Sequence, residues 1–255
     1  MIPPKKISLK ELAYYLDAFI DPQNIDDTAF NGIQVANSTS ISKIATAVTA
    51  SIETIERVAQ AGAHALIVHH GIFKKKGMGP ILGNVYKKLR LLIKYDIALL
   101  CYHLPLDAHQ EIGNNWKAAK DLGLYNLQPF AKYGPFHIGV IGEIDSLGFA
   151  DFQKKVESYY ENTAHAIKVK DPIQKIVIVS GAGEKSIRDA ANAGADCFIT
   201  GRVDEPVWDA AHEDNISFLG LGHYTSEIVG VKALSDHLRN ALEIESIFIK
   251  TQNPF

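Results

Sequence analysis

Five side chains of metal-binding type stand at chemically telling places in this sequence. His69 and His70 are adjacent, close the apolar run ALIV and precede Gly71; His223 and Glu227 lie four apart behind Gly-Leu-Gly; Asp107 follows the segment YHLPL. Neighbouring side chains on a regular strand point to opposite faces, yet where a strand ends and the chain turns both imidazoles can be aimed at one pocket. Residues four apart on a helix share a face, so an imidazole and a carboxylate can close on one ion. Each feature alone also has a plainer account. The histidine pair can be one core and one exposed residue, His223 a helix cap, Glu227 a solvated charge, and Asp107 a turn former beside the stiffening Pro105. Topology favours ligation, because all five fall at the C-terminal ends of predicted strands. A mixed nitrogen and oxygen set suits zinc, iron or manganese, and five ligands exceed the three of a typical catalytic zinc. Two ions bridged by a carboxylate would use all five.

The elements that must position these groups are legible as a repeat. Ser8-Leu9-Lys10-Glu11 forms a capping box opening a helix through Leu12, Leu16 and Ile20, which Asp21-Pro22 stops. KIATAVTA, SIETIERVAQA and HALIVHH then read as strand, helix and strand, with Ser51 as N-cap and Gly62 as terminator. A helix over 82–95, the strand DIALLCYH and the helix NNWKAAKDLG follow. Past Tyr133 the pattern restarts. ETIERVAQAGAHALIVHHG lies over KSIRDAANAGADCFITGRV at an offset of 132 residues, so that Arg202 stands where His70 stands. DIALLCYHLPLD lies over NISFLGLGHYTSE, placing His103 and Asp107 opposite His223 and Glu227. The alternation predicts an α/β fold of two similar domains with largely parallel sheets, 1–132 and 133–255, and a metal-binding cleft between them, where strand ends usually hold ligands. Two copies are too few for a solenoid.

Composition excludes other classes. The 255 residues carry 26 Lys+Arg against 29 Asp+Glu, a formal charge of -3, and 47% hydrophobic residues, which fits a folded domain and gives no broad basic field for nucleic acid or anionic lipid. No apolar run reaches the roughly 18 residues of a membrane span. Cys101 and Cys197 sit inside apolar runs, as buried thiols of a reducing compartment do, and the expected location is the cytoplasm.

Four blocks in order, NGIQVAN at 31–37, IVHHGIFKK at 67–75, YHLPLDAH at 102–109 and GHYTSEIVGVKAL at 222–234, make the chain resemble the dinuclear-metal-centre proteins called GTP cyclohydrolase I type 2 homologs, the Nif-three-like (YbgI) family. The resemblance implies paired α/β domains, two divalent ions, zinc, iron or manganese, held by His69, His70, Asp107, His223 and Glu227, and a ring-shaped homohexamer. It also implies a small-molecule substrate, a nucleotide if the family name is taken at its word: hydrolytic opening of the guanine ring of GTP with loss of formate. His103, four residues before Asp107, is the candidate for proton transfer, against a packed loop histidine. The reading from a different class is a metal-binding scaffold or metallochaperone without turnover.

Weaker signals complete the picture. Lys74, Lys75 and Lys76 read either as a loop that attracts an anionic substrate or as a solvated run. The SGAGEKS turn at 180–186 offers backbone N–H groups to a phosphate but lacks P-loop spacing, and Arg202 is a candidate for a phosphate clamp.

Overall fold

A computed structural model describes residues 5–22, 25–77 and 79–255; Met78, just past the Lys74 to Lys76 run, lies outside them. The chain forms two compact α/β units, one of Met1–Leu106 with Val231–Gln252 and one of Asp107–Gly230 with Asn253–Phe255. The division falls at 106/107 and 230/231 and not at 132/133, because the C-terminal segment returns to complete the first unit.

In the first unit, α1 (Leu9–Ile20) opens on the expected capping box, with the Glu11 N–H donating to Ser8 Oγ (3.2 Å) and the Ser8 N–H to Glu11 Oε2 (2.7 Å). Then come β1 (Gly32–Val35), β2 (Lys43–Thr49), α2 (Ile52–Gln60), β3 (Ala65–His70), α3 (Gly83–Lys94) and β4 (Ala98–Cys101). Ser51 Oγ caps α2 by accepting from the Thr54 N–H (3.0 Å). β2, β3 and β4 pair in parallel, β1 lies antiparallel on β4, and the late strand β11 (Glu245–Phe248) lies parallel on β2. The centre of this sheet is buried on both faces, which is why β3 and β4 are continuous apolar runs and not alternating ones.

α4 (Leu104–Ala108) and α5 (Asn114–Asp121) lead into β5 (Tyr125–Tyr133) and β6 (Phe136–Leu147), followed by α6 (Phe149–Tyr160) and β7 (His165–Ile167). The repeat then runs through β8 (Ile173–Val179), α7 (Ile187–Asn192), β9 (Cys197–Thr200), α8 (Pro206–Glu213) and β10 (Ser217–Gly220). α9 (His223–Ser226) and α10 (Ile228–Leu242) follow, α10 carrying the chain back to the first unit. β8, β9 and β10 are parallel, like β2, β3 and β4, and β7 lies antiparallel on β10 as β1 does on β4. The expected duplication thus reaches strand order and direction. The second sheet is mixed where a largely parallel one was expected, because β5 and β6 form an antiparallel hairpin whose second strand lies antiparallel on β8. Alternate residues of β8 feed opposite faces, Ile176 and Ile178 one core and Val177 and Val179 another. No helix among the described residues is long and apolar enough to cross a membrane.

Candidate metal centre

In the first unit, parallel pairing brings the ends of β3 and β4 side by side: Val68 pairs with Cys101, and the Tyr102 N–H donates to Val68 O (2.9 Å). His69 and His70 at one end therefore meet His103 at the other. The ring centroids of His69 lie 4.8 Å from both His70 and His103, those of His70 and His103 lie 5.6 Å apart, and one ligand nitrogen from each falls within 4.8 Å of the others. The histidine pair is not split between core and solvent, since His69 is buried and His70 half-buried beside it.

Each ring is held through Nδ1. His69 Nδ1 donates to Tyr102 O (3.3 Å), His70 Nδ1 lies 3.1 Å from Thr49 Oγ1, and His103 Nδ1 donates to Asp27 Oδ1 (2.9 Å), a carboxylate being able only to accept. With Nδ1 so engaged, Nε2 is the nitrogen each ring would offer a metal, the orientation outer hydrogen bonds impose on metal-binding histidines. Cys101 does not join them as a thiolate. Burial pushes its thiol up to about 12, the Asp27 charge adding to this against a backbone hydrogen bond from Gly71.

Asp27 is the residue sequence reasoning missed. It is 2% exposed and accepts from His103 Nδ1, the Leu104 N–H (2.9 Å), the Ala29 N–H (3.0 Å) and Asn31 Nδ2 (3.1 Å). Burial works against its charge, yet the His103 hydrogen bond and charge, the Ala29 N–H and Asn31 together outweigh it and hold the carboxyl well below the usual carboxylate range. The NGIQVAN block gains a physical meaning here. Asn31 Oδ1 accepts from the His103 N–H (2.8 Å), and Gln34 Oε1 accepts from the Ile72 and Phe73 N–H groups (2.7 and 3.1 Å), pinning the loop behind the histidine pair.

In the second unit the ends of β8, β9 and β10 converge. The Gly181 N–H donates to Ser226 Oγ (2.9 Å), the Arg202 N–H to Gly181 O (2.8 Å), and the Gly222 N–H to Gly201 O (2.8 Å). His223 Nε2 lies 3.1 Å from Glu227 Oε1, so the spacing of four does what it promised, although Glu227 stands in a break between α9 and α10 and not inside one continuous helix. Asp107 lies in α4 and not in a turn; it is 6% exposed and its Oδ1 accepts from Asn114 Nδ2 (2.8 Å) and Ser180 Oγ (3.0 Å). The start of the turn at 180–186 serves this arrangement, its Ser180 and Gly181 N–H groups being taken by Asn115 Oδ1 and Ser226 Oγ. Gly181, at φ +64°, leaves room for Glu227 and His223: a Cβ there would overlap Glu227 Oε1 and come within 3.3 Å of His223 Nε2. Imidazole and carboxylate donors cradled against bare backbone fit a borderline divalent ion. Lys75 pairs with Asp26 (3.5 Å), and both side chains are well exposed, the geometry of a solvated surface pair.

The family description Duf34/NIF3 (NGG1p interacting factor 3) matches residues 7–254. The chain belongs to the Duf34/NIF3 family. A Duf34/NIF3 relative from Chlamydia muridarum, named GTP cyclohydrolase 1 type 2 homolog, is 41% identical over 252 residues, 98% of this chain and 100% of its own length. A relative of the same name from Pseudomonas aeruginosa is 34% identical, covering 97% of this chain and 99% of its own. The solved structure of protein ybgI superposes with a TM-score of 0.91 at 31% identity over 98% of this chain and 100% of that one. Reduced HcgD from Methanocaldococcus jannaschii gives 0.86 at 25% identity, with 98% and 100% covered.

Proposed function

We propose that this Duf34/NIF3 chain is a metal-dependent hydrolase in which His69, His70, Asp107, His223 and Glu227 together hold a pair of divalent ions of the zinc, iron or manganese type. Two such ions, when bound, lower the pKa of water toward neutrality and stabilise the negative charge that hydrolysis develops. The single observation that carries this reading is the set of three imidazoles, each turned by an outer partner at Nδ1. The His223 and Glu227 pair supports it from the other unit, an imidazole and a carboxylate 3.1 Å apart.

Within this reading His103 moves protons. Asp27 fixes its Nδ1–H, Nε2 accepts a proton and hands it on, and a side chain 24% exposed can exchange it with water. GTP is the substrate to test first, because relatives carry the name GTP cyclohydrolase 1 type 2 homolog. The setting we infer is the cytoplasm, in keeping with the free, buried thiols of Cys101 and Cys197. Elemental analysis of the purified protein and of its His70→Ala and Glu227→Ala variants, paired with formate release from GTP, tests the proposal. Bound metal and formate in the parent, both falling sharply in the variants, is the expected pattern. Metal in the parent without hydrolysis of any nucleotide would leave the scaffold reading.

One observation favours assembly of copies, which the scaffold reading shares. Leu82, the residue that opens α3, and Ile93 within it are each 71% exposed, and Tyr86 51%. Apolar residues at such helical spacing mark a surface that meets another. We assign it to contact between copies in a homo-oligomer, a hexamer by family likeness. Ile93→Asp is expected to lower the mass seen in sedimentation velocity while leaving the far-ultraviolet circular dichroism unchanged; an unchanged mass would rule out that face.

A further inference from the structure

Arg202 occupies the place in the second repeat that His70 holds in the first, and there the chain has exchanged a metal-ligand type for a fixed cation. It stands just past β9, its N–H donating to Gly181 O, and lines a cavity of about 490 Å³ with His223, His165, Asn162, Thr163 and Phe255. That size suits a small-molecule ligand. Phe255 forms part of one wall, with its backbone oxygen taken up by the Tyr224 N–H (2.6 Å).

The guanidinium is braced from behind. Glu184, 4% exposed and outside the cavity lining, sets Oε1 3.6 Å from Arg202 Nη1, and its Oε2 is buried with no hydrogen-bond partner among the described residues. A carboxylate taken that far from water needs a countercharge, and Arg202 supplies it. The 3.6 Å separation is an ion pair and not a hydrogen bond, so the planar fork of Arg202, half-exposed at 49%, keeps its donors for something else.

We propose that this cavity is an anion subsite in which Arg202, steadied by Glu184, binds the phosphoryl group of a small phosphorylated molecule, the rest of the ligand extending past His165 and Phe255 toward His223. The proposal rests on the metal-hydrolase reading for the role of His223, and it names the substrate class: phosphate esters. Arginine matches phosphate oxygens through two parallel N–H donors, which lysine cannot do.

Isothermal titration of the full-length protein with inorganic phosphate and with ribose 5-phosphate, alongside elemental analysis, is the test. The ester is expected to bind more tightly than inorganic phosphate because the cavity is larger than phosphate alone. Arg202→Gln is expected to weaken ester binding by roughly tenfold or more, the value of one charge-assisted hydrogen-bonded contact, and Arg202→Lys to restore part of it. Glu184→Gln is expected to weaken it several-fold by releasing the brace. Equal binding by the parent and both Arg202 variants, no binding of either probe by parent protein with its metal intact, or inorganic phosphate binding as tightly as the ester would overturn the proposal. Arg202-dependent ester binding by a protein that holds no metal would instead sustain the subsite and remove the metal reading.

Discussion

Replacing Asp27 by Ala is expected to cost about 3 to 5 kcal/mol of folding stability, read as a lower urea midpoint with an unchanged slope. The carboxylate accepts four hydrogen bonds from inside a loop, and its removal strands the Ala29 and Leu104 N–H groups and the Asn31 amide at a buried point while releasing His103. Turnover is expected to fall about 100-fold or more with it, the usual contribution of a positioned proton-transfer group, while the metal content of the five-ligand site is kept. Asp27→Asn separates the two effects: it keeps the volume but offers one acceptor oxygen in place of two, so it should recover much of the stability and little of the His103 orientation. An alanine variant as stable as the parent would contradict the hub described here. The same group sets an acid limb. Its folded-state pKa is depressed below the unfolded value of about 3.9, so its contribution is present in full above that pH and is lost as pH falls through the lower folded value. Asp27→Asn should therefore flatten stability against pH below about pH 4 and leave the profile above it parallel to the parent.

Gly201→Ala is the second large effect, and it replaces no ligand. A Cβ at this position would lie 2.6 Å from Ser226 Oγ, 2.7 Å from Gly181 O and 2.8 Å from His223 Cα. Two of those neighbours are backbone, which cannot rotate aside, so α9 or the turn at 180–181 must move. The expected outcome is a loss of about 1 to 3 kcal/mol of stability, the typical cost of overpacking, together with at least roughly tenfold weaker metal binding through displacement of His223. Calorimetric melting and metal titration read the two separately. Metal affinity equal to that of the parent would mean that the placement of His223 has no bearing on the ion.

Much of this was legible in the sequence because it is local. Caps at Ser8 and Ser51, the two β-α-β runs and the four-residue step from His223 to Glu227 are short-range chemistry, and the structure reproduces each. Asp27 was not legible, since an Asp-Asp pair in a loop reads as solvated charge until tertiary folding delivers His103 onto it. Nor was β11, whose partner β2 lies some 200 residues earlier in the chain. β5 was hidden for another reason: so many of its residues are exposed that its apolar pattern is weak. Trp208 sits in a helical stretch yet is 60% exposed with its ring beside His212, because α8 turns that face outward. Arg202 could be found only by overlaying the repeats, and its significance came from a carboxylate eighteen residues upstream that no spacing rule connects to it.

The way the units are divided along the chain bears on how the molecule is made. The first unit needs α10 and β11, which leave the ribosome after nearly all of the second, itself almost one uninterrupted stretch. During synthesis the later-encoded unit is therefore the one that can close first, while β2 waits with an unsatisfied edge for its final strand. Nascent chains halted before residue 245 should accordingly show protease resistance confined to the middle of the polypeptide.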